Sequence, residues 1–135
     1  MEVFSGNLSG AGRENRLMQD FKKLKVWVRS QRVVVQLYNI TAKFSASERY
    51  GLTDQLRRAS VSIPANIAEG CGRGSDRDFC RFLYHAMGSA CEVECLLILS
   101  HDLEQLRHED YETLISSVRE VKRMLSSLIK KIGAS

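Results

Sequence analysis

Apolar residues recur every three or four positions through four stretches of this chain, separated by short runs rich in Gly, Ser and charged residues. That spacing is the period of an α-helix with one face turned to a core. The first stretch predicts a helix over 20–44, with Asp20 capping its positive end. Phe21, Leu24, Val28, Val35 and Tyr38 stand at heptad-like spacing as its core stripe, flanked by Trp27 and Val34. Val26, Val33, Leu37, Ile40 and Phe44 make a second apolar stripe on another side of the same helix. The second helix is predicted over 53–69, and small residues (Ala59, Ser60, Ser62, Ala65, Ala68) dominate its centre. Small side chains let a neighbouring helix approach closely. Pro64 lacks a backbone donor and predicts a kink near Ser60, and the glycines at 70, 72 and 74 predict a stop.

Ser75 followed by Asp78 is close to a capping box and opens a third helix, predicted to reach residue 103. Its core stripe is Phe79, Phe82, Ala86, Ala90, Val93 and Leu97, beside a second stripe of Cys80, Leu83, Met87, Cys91, Cys95 and Ile98. The fourth helix, 110–132, has the cleanest pattern: Tyr111, Leu114, Val118, Val121, Leu125, Leu128 and Ile132. No segment alternates with the period of a strand without also fitting a helix. Short connections at 45–52, 70–74 and 104–109 favour antiparallel neighbours, so the expected fold is all-α: an up-down-up-down four-helix bundle over 20–135. Residues 1–19, rich in Gly, Ser and Asn, read as a disordered arm. Two apolar stripes on one helix exceed what a lone bundle buries. They imply a homo-oligomer, with Val26, Val33, Leu37, Ile40 and Phe44 at its interface.

Composition narrows the classes. The 135 residues suit one domain, and 44% hydrophobic content supplies a core. Apolar runs such as 95–99 are short for a membrane span, and the first residues lack the apolar centre of a secretory signal, so the expected compartment is the cytoplasm with no membrane partner. Cys71, Cys80, Cys91 and Cys95 show no disulfide-scaffold spacing and read as reduced thiols. Net charge is +4 with a pI near 9.0, a mild basic excess. It is carried by residues 1–51, which hold nine basic and four acidic side chains.

Candidate chemistry is sparse. Gly70, Gly72 and Gly74 before Ser75 resemble a phosphate-cradling loop, but no strand precedes them and no Lys follows, so a plain interhelical turn is the expectation. Cys91 and Cys95 share a helix face, yet His85, His101 and His108 fall at the wrong pitch to complete a metal site, and the cysteines read as buried small hydrophobes. No nucleophile–base pair, metal site, cofactor motif or small-molecule substrate site can be assembled, which points away from an enzyme. Glu69 and Glu92 fall near core-facing positions and Glu94 toward solvent; Arg58, Ser62, Asn66 and Ser89 are placed to join the first two in a structural polar network. Lys22, Lys25, Arg29 and Arg32 fall within a sector ~80° wide on the first helix. Such a stripe neutralises phosphates along a nucleic-acid backbone; the plainer reading is a solvated face that serves solubility.

Residues 55–70 read QLRRASVSIPANIAEG and residues 88–94 read GSACEVE. With Phe21, Leu24, Val26 and Trp27 early and Lys122, Met124 and Leu125 late, the chain resembles the bacterial proteins encoded in 23S ribosomal RNA intervening sequences, the S23 family. The family pattern Q-[IL]-R-R-A-x-x-S-I-x-x-N-I-A-E-G fits residue by residue; Ser45, where the family often has proline, departs from it. The resemblance implies an antiparallel four-helix bundle assembled as a homopentamer, with no catalytic residues and an association with RNA or a ribonucleoprotein. Similar accessory proteins of diversity-generating retroelements use basic surfaces of such a pentamer. The other expectation is a protein-interaction scaffold with no nucleic-acid role.

Overall fold

The computed structural model describes residues 20–48 and 51–134. Among them four α-helices carry the fold: α1 Lys25–Thr41, α2 Leu52–Cys71, α3 Asp76–Asp102 and α4 His108–Ala134. Two 3-10 turns, Phe21–Lys23 and Ala46–Glu48, precede and follow α1, and no strand occurs among the described residues. The arm anticipated over 1–19 lies outside them.

The start of α1 differs from expectation. Asp20 does act as a cap, but for the 3-10 turn, its Oδ1 accepting the Lys22 N–H at 3.1 Å. Leu24 is extended (φ −78°, ψ 127°) and separates that turn from α1. The larger correction concerns which stripe faces inward. Val26, Val33, Leu37, Ile40 and Phe44, expected at an interface with another copy, are buried in the chain's own core, which leaves little of their surface for such a contact. Val35 and Tyr38, assigned to the core from spacing, are 51% and 40% exposed. The two stripes are comparably apolar, and periodicity alone does not say which one α2 and α4 will cover. Tyr38 is accommodated outside because the Arg57 guanidinium lies 4.5 Å from its ring centre.

Each helix packs on its sequence neighbours, and α1 also packs on α4, closing a ring around one core. Leu56, Ile63 and Ile67 of α2, Leu83, Val93 and Leu97 of α3, and Leu114, Val118, Val121 and Leu125 of α4 are fully buried there. Pro64 sits inside α2 without ending it. Cross-helix pairs set the register: Thr41 meets Arg57, Ser62 meets Ser89, Gly70 lies on Phe79 and Phe82, and Glu94 meets Arg119 and Lys122. α3 is long and apolar enough to cross a membrane by length and composition, but its buried stripe is covered by the other helices as a core helix's would be.

A short turn connects α2 and α3. Ser75 caps α3 by accepting the Asp78 N–H at 3.2 Å, and Asp76 and Asp78 already place negative charge in the first turn. None of the described glycines has positive φ. Gly70 is a helical residue whose role is close packing: a Cβ there would lie 2.9 Å from Cδ1 of Phe79 and 3.0 Å from Cβ of Phe82.

Candidate nucleic-acid interface

Three of the four residues of the predicted basic stripe come together. Lys25, Arg29 and Arg32 line a cleft of about 300 Å³ with Lys23, Val28 and, from α4, Met124. Lys22 does not join them. It belongs to the 3-10 turn rather than to α1, so the helical pitch does not carry it onto the same face, and its Nζ lies 3.9 Å from Asp20.

The cleft continues along the seam between α1 and α4. Through Met124 it meets a second hollow that adds Arg123, Ser127 and Lys131 from α4, together with Glu120. Through Arg29 and Arg32 it meets a third, which adds Gln31, Gln36, Asn39 and Ser117. The acid in this groove is already engaged: Arg123 hydrogen-bonds Glu120 and holds its carboxyl below the usual carboxylate range, with Arg29 adding to the effect. The result is a groove lined in part by apolar residues (Val26, Val28, Val33, Val35, Met124 and Leu128) and edged by cations, amides and hydroxyls. Phosphate and sugar oxygens are what such groups bind.

The charge around the groove is unevenly spread. Contacts of α1 and α3 with the last turns of α4, and of Gly70 with Phe79 and Phe82, bring residues 20–32, 69–85 and 123–134 to one end of the helices. Those segments hold eleven basic and four acidic side chains, whereas 33–48, 51–68 and 86–122 hold six and ten. One end is therefore strongly positive and the remainder negative. The sequence showed the α1 part of this through its spacing. It hid Arg123 and Lys131, eight residues apart on a different helix, because only the α1–α4 register brings them to the same groove.

The model of the 23S rRNA-intervening sequence protein family matches residues 22–127. This chain belongs to that family. A solved structure from Bacteroides thetaiotaomicron, described as a protein of unknown function from the S23 ribosomal protein family, is 32% identical to it. That likeness has a TM-score of 0.72 and covers 78% of this chain and 98% of the other. No curated protein matches the chain.

Part of the 55–70 segment on α2 is explained by packing. Arg57 Nε donates to Thr41 Oγ1 at 3.0 Å and Arg57 Nη2 to the Tyr38 carbonyl at 3.2 Å, fastening α2 to α1. On the other side, the Ser62 and Ser89 hydroxyls share a hydrogen bond of 2.7 Å, and Asn66 Nδ2 donates to Ser62 Oγ at 3.0 Å. So Ser62, Asn66 and Ser89 of the expected polar network do meet. Arg58, Glu69 and Glu92 do not join them: Arg58 pairs with Asp54, Glu69 pairs with Arg73, and Glu92 is exposed. The half-buried carboxylate is Glu94, the one expected in solvent. Lys122 at 2.7 Å and Arg119 at 2.9 Å hold its pKa down. Cys91 and Cys95 are exposed rather than core residues, and only Cys71 of the four thiols is buried.

Proposed function

We propose that the chain is a non-enzymatic, up-down-up-down antiparallel bundle that assembles as a homo-oligomer and associates in the cytoplasm with RNA or a ribonucleoprotein. The observation that carries this reading is the α1–α4 groove, where Lys23, Lys25, Arg29 and Arg32 gather at the positive end of an otherwise acidic bundle. Contacts of this kind give phosphate-driven, salt-dependent binding with little sequence preference. The family's description, which names a 23S rRNA-intervening sequence, supports the choice of nucleic acid. Descending cross-helix pairs, such as Ser62 with Ser89 and Gly70 with Phe82, support the antiparallel order.

The oligomer, a pentamer by the family resemblance, rests on α3 rather than on α1. Gly88, Cys91, Cys95, Ile98 and Leu99 form an exposed stripe with no charge among them, a surface suited to a second copy. Titrating RNA at several salt concentrations tests the binding. Affinity should fall as salt rises, and replacing Lys25, Arg29 and Arg32 by Gln should reduce the log–log salt slope by about 2–3. No binding at low salt, or an unchanged slope, refutes it. A stable monomer at micromolar concentration by light scattering refutes the assembly.

A further inference from the structure

A second cleft lies on the far side of α4 from the first. It has a volume of about 860 Å³ and is lined by Arg77, Cys80, Arg81, Tyr84 and His85 of α3 and by Ile129, Lys130 and Gly133 of α4, a mainly apolar surface with cations at its edge. Adjacent residues of α4 thus serve different clefts, Lys131 the α1 side and Lys130 the α3 side.

Three properties of this cleft bear on what it could hold. Tyr84 is 62% exposed, the highest of the large hydrophobic side chains among the described residues. Its ring also differs from that of Tyr38, whose face is covered by Arg57; no ring or guanidinium stacks on Tyr84 among the described residues. Finally, the cations beside it are not equally engaged. Arg81 pairs with Asp78 and lies over Phe82, whereas Arg77 and Lys130 have no ion pair among the described residues. An open aromatic face next to uncommitted positive charges is the arrangement that holds a base by stacking and its phosphates by charge.

We infer that the Tyr84 cleft takes an unpaired nucleotide of the bound RNA, the base stacking on Tyr84 and the adjoining phosphates meeting Arg77 and Lys130. The inference rests on the RNA reading above and adds to it a preference for single strands, since a base held in a duplex offers no free face. Stacking is tolerant of base identity, so the cleft selects unpaired over paired segments and not one sequence over another.

The test uses the full chain, a labelled ten-nucleotide RNA without self-complementarity, and the same strand annealed to its complement. The wild type should bind the single strand more tightly. Tyr84→Ala should weaken single-strand binding about tenfold and leave duplex binding unchanged, while Tyr84→Phe retains both. Arg77→Gln with Lys130→Gln should lower the single-strand salt slope by about 1–2. Because Tyr84 is exposed, an unaltered circular dichroism melt shows that the variants are folded. Equal single-strand affinity of wild type and Tyr84→Ala, or an equal loss on both RNAs, overturns the cleft even where duplex binding still depends on Lys25, Arg29 and Arg32. Absence of binding to either RNA overturns both readings.

Discussion

Replacing Gly70 by Ala tests whether α2 and α3 pack as closely as the structure states. In an exposed helix interior this change is favourable by about 0.8–1 kcal/mol, because Ala loses less backbone freedom than Gly. Here the new methyl would lie 2.9 and 3.3 Å from two Phe79 ring carbons and 3.0 Å from the Phe82 Cβ. Ordinary carbon–carbon contact is about 3.5–4.0 Å, so the neighbours must move by roughly 0.5–1 Å. Phe79 is fully buried and has no solvent to swing into, and the Phe82 Cβ is fixed to the α3 backbone. Overpacking costs about 1–3 kcal/mol, and with neither neighbour free to yield the upper part of that range, about 2–3 kcal/mol, applies here, which leaves a net loss of about 1–2 kcal/mol after the helix gain. Gly88 is the control: it lies on the exposed face of α3, and a methyl added there would meet nothing within 4 Å, so Gly88→Ala should stabilise the isolated chain. With a urea m-value of about 1–3 kcal/mol/M, the Gly70→Ala midpoint should drop by roughly 0.5–1 M. Unfolding is followed by circular dichroism at one protein concentration and repeated at tenfold dilution to expose any contribution from assembly. A Gly70→Ala midpoint equal to or above wild type would refute the close approach.

Four further outcomes follow from named contacts. Glu94→Gln should cost about 1–2 kcal/mol near neutral pH, because Lys122 and Arg119 lose a charged acceptor. Since the folded-state pKa is lowered, that stabilisation is present above about pH 4.5 and disappears as the pH falls through the lowered value; wild-type and variant melts should converge in acid. Arg57→Ala should cost about 1–2 kcal/mol and Arg58→Ala under about 0.5, because Arg57 ties α2 to α1 whereas Arg58 reaches only Asp54 on its own helix; equal melts would contradict the assignment. Ser62→Ala should cost about 1 kcal/mol through the bond to Ser89, measured by the same unfolding curve. Cys91 and Cys95 should react with a thiol reagent in the dissociated chain and be protected in the assembly, while Cys71 reacts only on unfolding; equal reactivity at all dilutions would remove α3 from the interface.

The existence, order and rough limits of the four helices were present in the apolar period, and α4 matched it position by position except for the half-buried Tyr111. What the period lacked was direction. On α1 both stripes are apolar, and the inward one was the stripe reserved for another copy. On α3 the second stripe divides, Leu83 entering the core and Cys91, Cys95 and Ile98 remaining outside, because α3 is flanked by helices on only two sides. The carboxylates were misassigned for a related reason. A single-helix projection turns Glu94 outward, and the pair of cations that shelters it comes from α4. Spacing on one helix found Lys25, Arg29 and Arg32; the residues facing them needed the helix-to-helix register.

Charge polarity and the α3 stripe bear on each other. The stripe from Gly88 to Leu99 runs along the helix axis, and Tyr84 lies one helical turn before Gly88 on the same face, at the end of the stripe toward the positive end of the bundle. A closed ring formed around an axis parallel to the helices would turn every positive end to the same side, since rotation about that axis preserves direction. Several weak phosphate-binding ends on one face then act together on a single RNA, and their combined affinity exceeds that of one end by orders of magnitude where the spacing fits. Open stacking of one copy's positive end on another's negative end would instead cancel the charge that attracts RNA. On the proposed reading assembly and nucleic-acid binding are linked: an Ile98→Asp chain that no longer assembles should keep its fold and its α1–α4 groove yet bind long RNA far more weakly, with little change on a ten-nucleotide RNA that reaches only one end. Equal affinity of the dissociated and assembled chains for long RNA would separate the two properties and leave the α3 stripe without a role in binding.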